Sequence, residues 1–434
     1  MNKTENSLFS KFLIIWLGQL ISNIGSGLTA FTLGVFVFER THSATSYALI
    51  IFFSFLPSLL LKPVGGVLAD RYNRRFMMII GDLGSAFGLV FILIFICLDR
   101  WSLWQIYTGA AISSLFAALQ NPAYKASVSD LLTPEMYAQA SGFMQLATSS
   151  QFLVSPIIAG FLMNMMDIKF ILIVDILTFL VAVFSVFGVG GKILTIQLEQ
   201  HKKQSFLSEM KEGLQTILVN KGLTILVILI AILCFYIGFL QTLMGPMMLN
   251  FINPRQLGIV ISLSATGLLF SSLLIGVFGG TKHHLKTVSL FLGCAGLFYA
   301  GIGFTTNIYI IIGSCFLFFF ALPFVQTSLE VLIRQNVDNE KQGRVWAMIS
   351  VITQLGYPLA YGLSGFLADY IFNPLLKTDG ILAPSIGKII GTGQGRGIGL
   401  MFILSGMLVL ILAGMTSKIK IIKKLEQTSS FLSQ

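Results

Sequence analysis

The feature that most limits what this chain can fold into is the end-to-end recurrence of apolar runs long enough to cross the hydrocarbon core of a bilayer, about 17 to 25 residues each. A segment in lipid must satisfy its backbone hydrogen bonds internally, so each such run is expected to be a helix. The runs fall near residues 11–38, 45–69, 76–98, 102–122, 137–164 and 168–190, and then near 222–250, 255–280, 285–303, 307–333, 341–372 and 394–417. The expectation is an all-α membrane protein with twelve transmembrane helices in two pseudo-symmetric six-helix bundles. Only 11% of the 434 residues are charged, against roughly 25% in soluble domains, which excludes a soluble fold.

An even number of spans places both termini on one side. Most of the 28 Lys and Arg residues fall on that side, in the clusters Arg71/Arg74/Arg75, Lys202/Lys203, Lys282/Lys286 and Lys418/Lys420/Lys423/Lys424. Positive charge marks the cytoplasmic face, so both termini are expected in the cytoplasm. The same topology accounts for the formal charge of +10 without a nucleic-acid partner. The cysteines Cys97, Cys234, Cys294 and Cys315 all lie inside apolar runs without C-x-x-C spacing, so neither disulfide nor metal is expected.

The longest polar break, residues 191–221, divides the chain nearly in half. It predicts an N-terminal bundle over 1–190, a cytoplasmic linker over 191–221, a C-terminal bundle over 222–417 and a cytoplasmic tail over 418–434. Within the linker Phe206, Leu207, Met210, Leu214, Ile217 and Leu218 recur at helical spacing among Lys and Glu, the pattern of a helix lying on the membrane surface. An internal repeat supports the two halves: the segment from Pro134 aligns with that from Asn339 at a constant offset of 205, and Gly160 meets Gly365. Repeated six-helix bundles are how many secondary transporters build a central site that opens to either side in turn.

The most specific string is GGVLADRYNRR, Gly65 to Arg75, on the loop after the second helix. It resembles the signature of the major facilitator superfamily, G-x-L-A-D-[RK]-x-G-[RK]-[RK]. Gly66, Leu68, Ala69, Asp70, Arg71, Arg74 and Arg75 match it, while Asn73 stands for the second Gly, as a residue that tolerates left-handed backbone. Small Gly65 and Gly66 permit close helix packing, and Asp70 can meet a helix N-terminus. The resemblance implies that Gly65, Gly66, Asp70, Arg71, Arg74 and Arg75 form a conformational latch; such a loop also serves as a topological anchor. In the second half Gly280 stands where the Asp would be. Three further regions, ADRYNRRFMMIIGDLGSA, NPAYKASVSDLLTPE and GQGRGIGLMF, are similar to the drug-efflux branch of that superfamily, which includes macrolide exporters. The implied setting is a bacterial-type plasma membrane and the implied state a monomer.

Charge inside a membrane helix costs about 2.5 to 3.5 kcal/mol on insertion scales and marks functional candidates. Lys62 and Asp82 lie at matching depths, roughly 13 and 10 Å from the Arg71 and Arg75 ends at 1.5 Å per residue, and are expected to pair, either as a structural ion pair or as proton-coupling groups that exchange partners as a proton moves. Asp175 has no partner evident in the sequence and is a candidate proton carrier. Lys125 and Glu330 occupy repeat-related positions with opposite charge, a candidate cytoplasmic gate. Gln19 and Asn23 on the first helix, with Tyr236 and Gln241 on the seventh, form weakly polar stripes that can line a substrate cavity or bond helix to helix.

The run GTGQGRGIG, Gly391 to Gly399, lacks the strand and the Gly-Lys-Ser/Thr of a phosphate loop and is expected to be a flexible outer segment. No catalytic residue, cofactor or metal is expected, so the chain is read as a transporter of a small molecule with protons as coupling ion, not an enzyme. The leading expectation is proton-driven efflux of amphipathic or apolar compounds. A siderophore or metabolite exporter or importer is the alternative within transport, and a non-transporting receptor or scaffold the alternative outside it.

Overall fold

The computed structural model describes residues 3–189, 206–279, 281, 283–338 and 341–419, and what it describes is helix, turn and connecting loop. The chain separates into two compact units, Met1–Glu199 with Ile252–Ser262, and Gln200–Phe251 with Leu263–Gln434.

The first unit contains α1 (Lys3–Thr41), α2 (Ala44–Arg71), α3 (Arg74–Cys97), α4 (Leu103–Leu131), α5 (Tyr137–Leu153), α6 (Ser155–Met163) and α7 (Ile168–Gly188). After α8 (Phe206–Val219) come α9 (Lys221–Met248), α10 (Pro254–Phe278), α11 (His284–Phe304), α12 (Ile308–Gln335), α13 (Gln342–Gln354) and α14 (Gly356–Leu367). A π-helical turn at Ala368–Phe372 leads to the short α15 (Asn373–Leu375) and α16 (Gly387–Ile390), and α17 (Arg396–Thr416) completes the second unit. Helix starts fall where a short polar side chain can take an orphan N–H. Ser43 accepts from Ser46 N, Asp167 from Ile168 N, Asn220 from Gly222 N and Asn307 from Tyr309 N.

Among the described residues ten segments are long and apolar enough to cross a membrane. Two of the twelve expected positions are less apolar or broken: α4, whose second half carries Gln120, Asn121, Lys125 and Asp130, and the α13/α14 segment, interrupted at Leu355. The fifth span of each half is split, into α5/α6 and α13/α14, with Pro156 and Pro358 just inside the second piece. A proline there removes one ladder donor and clashes with the preceding turn.

Close helix contacts depend on glycines. A Cβ on Gly88 of α3 would lie 2.5 Å from Gly109 O and 2.7 Å from Ser113 N of α4, and one on Gly406 of α17 would lie 2.5 Å from Ala300 N of α11. Lipid tails are as apolar as the side chains, so such backbone-to-backbone packing replaces hydrophobic collapse as the force between helices. The core of the first unit divides into two apolar clusters. One, near the α2–α3 loop, gathers Phe12, Ile15, Met78, Ala123, Tyr124 and Val186; the other, at the opposite end, gathers Leu33, Leu89, Ile92, Ile106, Leu172 and Phe179. In the second unit fully buried Tyr299 stacks edge-on against Tyr236, Phe318 and Phe402 and donates its hydroxyl to Tyr236 O at 3.0 Å.

The linker helix α8 finds a protein surface. Glu212 pairs with Arg344 of α13 at 2.5 Å, Gly213 brings the two backbones together, and Ile217 is buried. The first part of the linker, the side chains of Phe206 and Leu207, Lys202, Lys203, Gly280, Lys282 and the tail beyond 419 lie outside the described residues. The outer segment read as flexible is folded on itself: Gly393 N donates to Leu376 O at 2.9 Å, and Leu376, Ile390 and Leu400 form a small apolar cluster. Its glycines serve backbone geometry, since Gly391, Gly393 and Gly395 have φ of 92°, 118° and 81°, a region that side-chain-bearing residues rarely enter.

These contacts predict opposite effects for two Gly→Ala changes. Gly88→Ala is expected to cost about 1 to 3 kcal/mol by overpacking, whereas Gly142→Ala in α5, where an added methyl meets nothing within 4 Å, gains up to about 1 kcal/mol of helix propensity. Thermal unfolding of the two variants in detergent checks the sign of each.

Candidate functional site

Between the two apolar clusters of the first unit lies a polar layer. On α1 the cluster residues Phe12 and Ile15 give way to Gln19, Ser22 and Asn23 before Leu33; on α3 Asp82 and Ser85 follow Met78; on α4 Ser113, Ser114 and Gln120 precede Ala123; on α7 Asp175 and Thr178 lie between Leu172 and Val186. Polar residues therefore interrupt all four helices, with Asp82 at the level of Gln19 and Asp175 at the level of Gly25, roughly 9 Å farther along α1 at 1.5 Å per residue, and small residues draw the helices together at both levels. A Cβ on Gly81 would lie 2.9 Å from Gln120 Cα, and one on Gly25 would lie 2.5 Å from Asp175 Oδ1.

Two cavities occupy this layer. The inner one, about 220 Å³, is lined by Asp82, Asp175, Ser85, Ser114 and the α1 stripe Gln19, Asn23 and Ser26. The outer one, about 610 Å³, is lined by Tyr124, Lys125, Tyr137, Met144 and amide side chains. They share Gln19, Asn23, Gln120, Asn121 and Gln151 in their walls, so they are adjoining chambers. The outer volume falls within the roughly 300 to 1,000 Å³ of small-molecule sites.

The carboxylate of Asp82, 2% exposed, accepts from Gln19 Nε2 at 3.2 Å, and Gln19 Oε1 in turn accepts from Gln120 Nε2 at 2.6 Å. Asp175, 1% exposed, accepts from the Thr178 hydroxyl at 3.1 Å. Neither aspartate has an ion-pair partner among the described residues. The structure does not bring Lys62 to Asp82: Lys62 is exposed on α2, whereas Asp82 is buried against α1. Equal depth along two helices says nothing of the direction each side chain takes around its axis.

Gln19 and Asn23 line both chambers. Tyr236 is buried against Tyr299, and Gln241 accepts from the Tyr361 hydroxyl at 2.7 Å. Its neighbour Thr242 shares a 2.7 Å hydrogen bond with Ser364, so this stripe bonds α9 to α14. Lys125 is exposed at the outer chamber and Glu330 is exposed on α12.

The α2–α3 motif is assembled with unequal parts. Gly65 lies directly against Ala118 O of α4, whereas a methyl on Gly66 would meet nothing within 4 Å. Asp70 falls in the last turn of α2, and its side chain lies outside the described residues. Asn73 is not left-handed; with φ −59° it caps α3 by accepting from Arg75 N at 3.0 Å. Arg71 is exposed. Arg74 reaches α4, donating to Asp130 at 2.6 Å and to Ala126 O at 2.7 Å, and Arg75 donates to Phe187 O and stacks on the Phe187 ring. Asp130 was legible only as part of the segment after the fourth helix, and Gln120 only as an amide in an apolar run. Arg396 carries no sequence signal of its own within the glycine run: it is 4% exposed and donates to Gly303 O at 2.8 Å, capping the C-terminal end of α11, where a cation is favoured.

Residues 15–361 match the Major Facilitator Superfamily. Macrolide efflux protein A of Streptococcus pyogenes is 26% identical over 426 residues, 96% of this chain and 97% of that protein. Multidrug resistance protein 2 of Bacillus subtilis (strain 168) is 24% identical over 89% of this chain and 96% of its own. The crystal structure of a bacterial homologue of the human lysosomal transporter Spinster shares the fold, with a TM-score of 0.72 at 12% identity over 99% of both chains. Apolar helices enclosing a polar chamber, with relatives of this kind, define a multi-pass membrane transporter of small molecules and not an enzyme. The chain belongs to the Major Facilitator Superfamily.

The Arg74–Asp130 pair has side-chain exposures of 17% and 6%, against 45% and 78% for Lys341–Asp338. A double-mutant cycle on unfolding in detergent is expected to give a coupling of about 1 to 3 kcal/mol for the first and under about 1 kcal/mol for the second; equal couplings would contradict the assignment of Arg74 as the clamp between α3 and α4.

Proposed function

We propose that this protein is a secondary active exporter of amphipathic or apolar, drug- or macrolide-like small molecules, working by alternating access and driven by the proton gradient. It acts as a monomer in a bacterial-type plasma membrane, with both termini in the cytoplasm. The observation that carries this reading is the drug-sized two-chambered space in the first unit, whose inner wall holds two buried carboxylates. The full-length similarity to Macrolide efflux protein A supports the direction and the substrate class.

Asp175 is the proton carrier in this scheme. A carboxylate in a medium that solvates charge poorly is neutral with its proton and costly without it, so loading and unloading the proton changes the energy of the helix contact it sits in. That contact is the α1–α7 seam at Gly25, where Asp175 Oδ1 and Thr178 fill the space a side chain on α1 would need. The α2–α3 loop, tied to α4 through Arg74, acts as the latch, biasing one of two conformations by the modest free energy such switching requires.

In reconstituted vesicles the wild-type protein is expected to accumulate a macrolide or an amphiphilic dye against its gradient when a pH gradient is imposed. Asp175→Asn is expected to abolish this uphill step while equilibrating exchange of labelled for unlabelled substrate continues. Uphill transport by Asp175→Asn at the wild-type rate removes Asp175 from the role, and wild-type vesicles that ignore the pH gradient remove proton coupling altogether.

A further inference from the structure

The two chambers differ in the kind of ionisable group that lines them. The inner one holds Asp82 and Asp175 and no cationic side chain, while the outer one holds Lys125 and no carboxylate. The two aspartates also differ from each other. Asp175 is packed against the α1 backbone at Gly25 and bonded by Thr178 of its own helix. Asp82 instead ends a chain of amides, Gln120 to Gln19 to Asp82, in which each amide N–H points toward the carboxylate. Gln120, 7% exposed, is held by helix packing at Gly81, and Gln19, 4% exposed, by its hydrogen bonds to Gln120 and Asp82, so the acceptor is fixed in place before anything binds.

The geometry points to Asp82 as the docking point for the protonated amine of a cationic amphiphile, with the apolar body of that molecule in the outer chamber; this inference rests on the transport reading above. A buried carboxylate with one neutral donor is incompletely compensated. An ammonium supplies both the opposite charge and a charge-assisted hydrogen bond. The remaining lining fits such a molecule. Tyr124, Tyr137 and Met144 offer aromatic and pliable thioether surface for its body, and the Lys125 ammonium at the outer chamber disfavours the reversed orientation, head outward, through like-charge repulsion. A metal ion is a poorer fit, because no group of three or more His, Cys, Asp or Glu able to hold one occurs among the described residues.

The test uses a matched pair of probes, a naphthylalkyl dimethylamine and its carbon isostere in which isopropyl replaces dimethylamino. Equilibrium binding to the purified full-length protein needs no gradient, so it stands apart from proton coupling. The wild-type protein is expected to bind the amine more tightly than the isostere by about tenfold to a hundredfold, the range of one charge-assisted hydrogen bond. Asp82→Asn is expected to bring that ratio close to one, and Asp82→Glu, which keeps the charge on a longer arm, to retain a ratio above one. A wild-type ratio of one, or an Asp82→Asn ratio equal to that of the wild type, overturns the assignment, and so does an Asp82→Glu ratio of one should Asp82→Asn fail to fold. Vesicle transport of both probes by the wild type separates the two readings: if neither is moved, the exporter reading fails, while a binding ratio that survives in Asp82→Asn with transport intact sinks only the role of Asp82.

Discussion

Holding a carboxylate in hydrocarbon without a counter-charge is the constraint around which the first unit is arranged. Asp82 and Asp175 are 2% and 1% exposed, and an isolated charge so placed is strongly disfavoured unless polar groups converge on it or it takes a proton. The structure supplies those groups from four helices at two neighbouring levels, Gln19 and Gln120 for Asp82 and Thr178 for Asp175. Glycines provide the access. Gly25 is small because Asp175 and Thr178 stand where its side chain would be, and Gly81 is small because Gln120 must come close enough to reach Gln19. The helix contacts of this unit thus serve its polar layer as much as its apolar clusters, and a chamber results because amides and hydroxyls at that depth leave room that aliphatic side chains would fill.

The sequence made the helices legible because a 20-residue apolar window is a strong signal. The exceptions follow the same physics. The second half of α4 turns polar where it lines the chambers, so its apolar window stops near 122 while the helix continues to Leu131. Asp82 and Asp175 stood out as charges within apolar runs, yet their partners did not, because spacing along an axis fixes depth and leaves direction around the axis open. The pairing of Lys62 with Asp82 fails on that point. Asn73 shows a similar limit: a motif position that elsewhere takes Gly suggested left-handed backbone, whereas here the Asn side chain caps α3, a second way of ending a tight loop that the residue type allows equally. The glycine run hid Arg396 in the same manner, since a guanidinium hydrogen-bonded to the carbonyls at the end of α11 has no acidic partner to announce it.

The second unit solves its interior differently. Where the first buries carboxylates, the second buries Tyr299 among aromatic rings and joins α9 to α14 by Thr242 and Ser364. Neutral hydroxyls tie helices at modest energy and keep no charge that must be compensated. The one buried cation among its described residues, Arg396, is spent on a helix end rather than on a chamber. Two halves that share a length, a repeat and a split fifth span therefore differ in the property that matters for ion coupling, the presence of a group whose charge can change inside the membrane. In the proton-driven cycle proposed above, a proton on Asp175 changes the contact between α1 and α7, because Asp175 lies in that seam. The second unit offers no equivalent carboxylate among its described buried residues, so in the proposed cycle the titrating groups are those of the first.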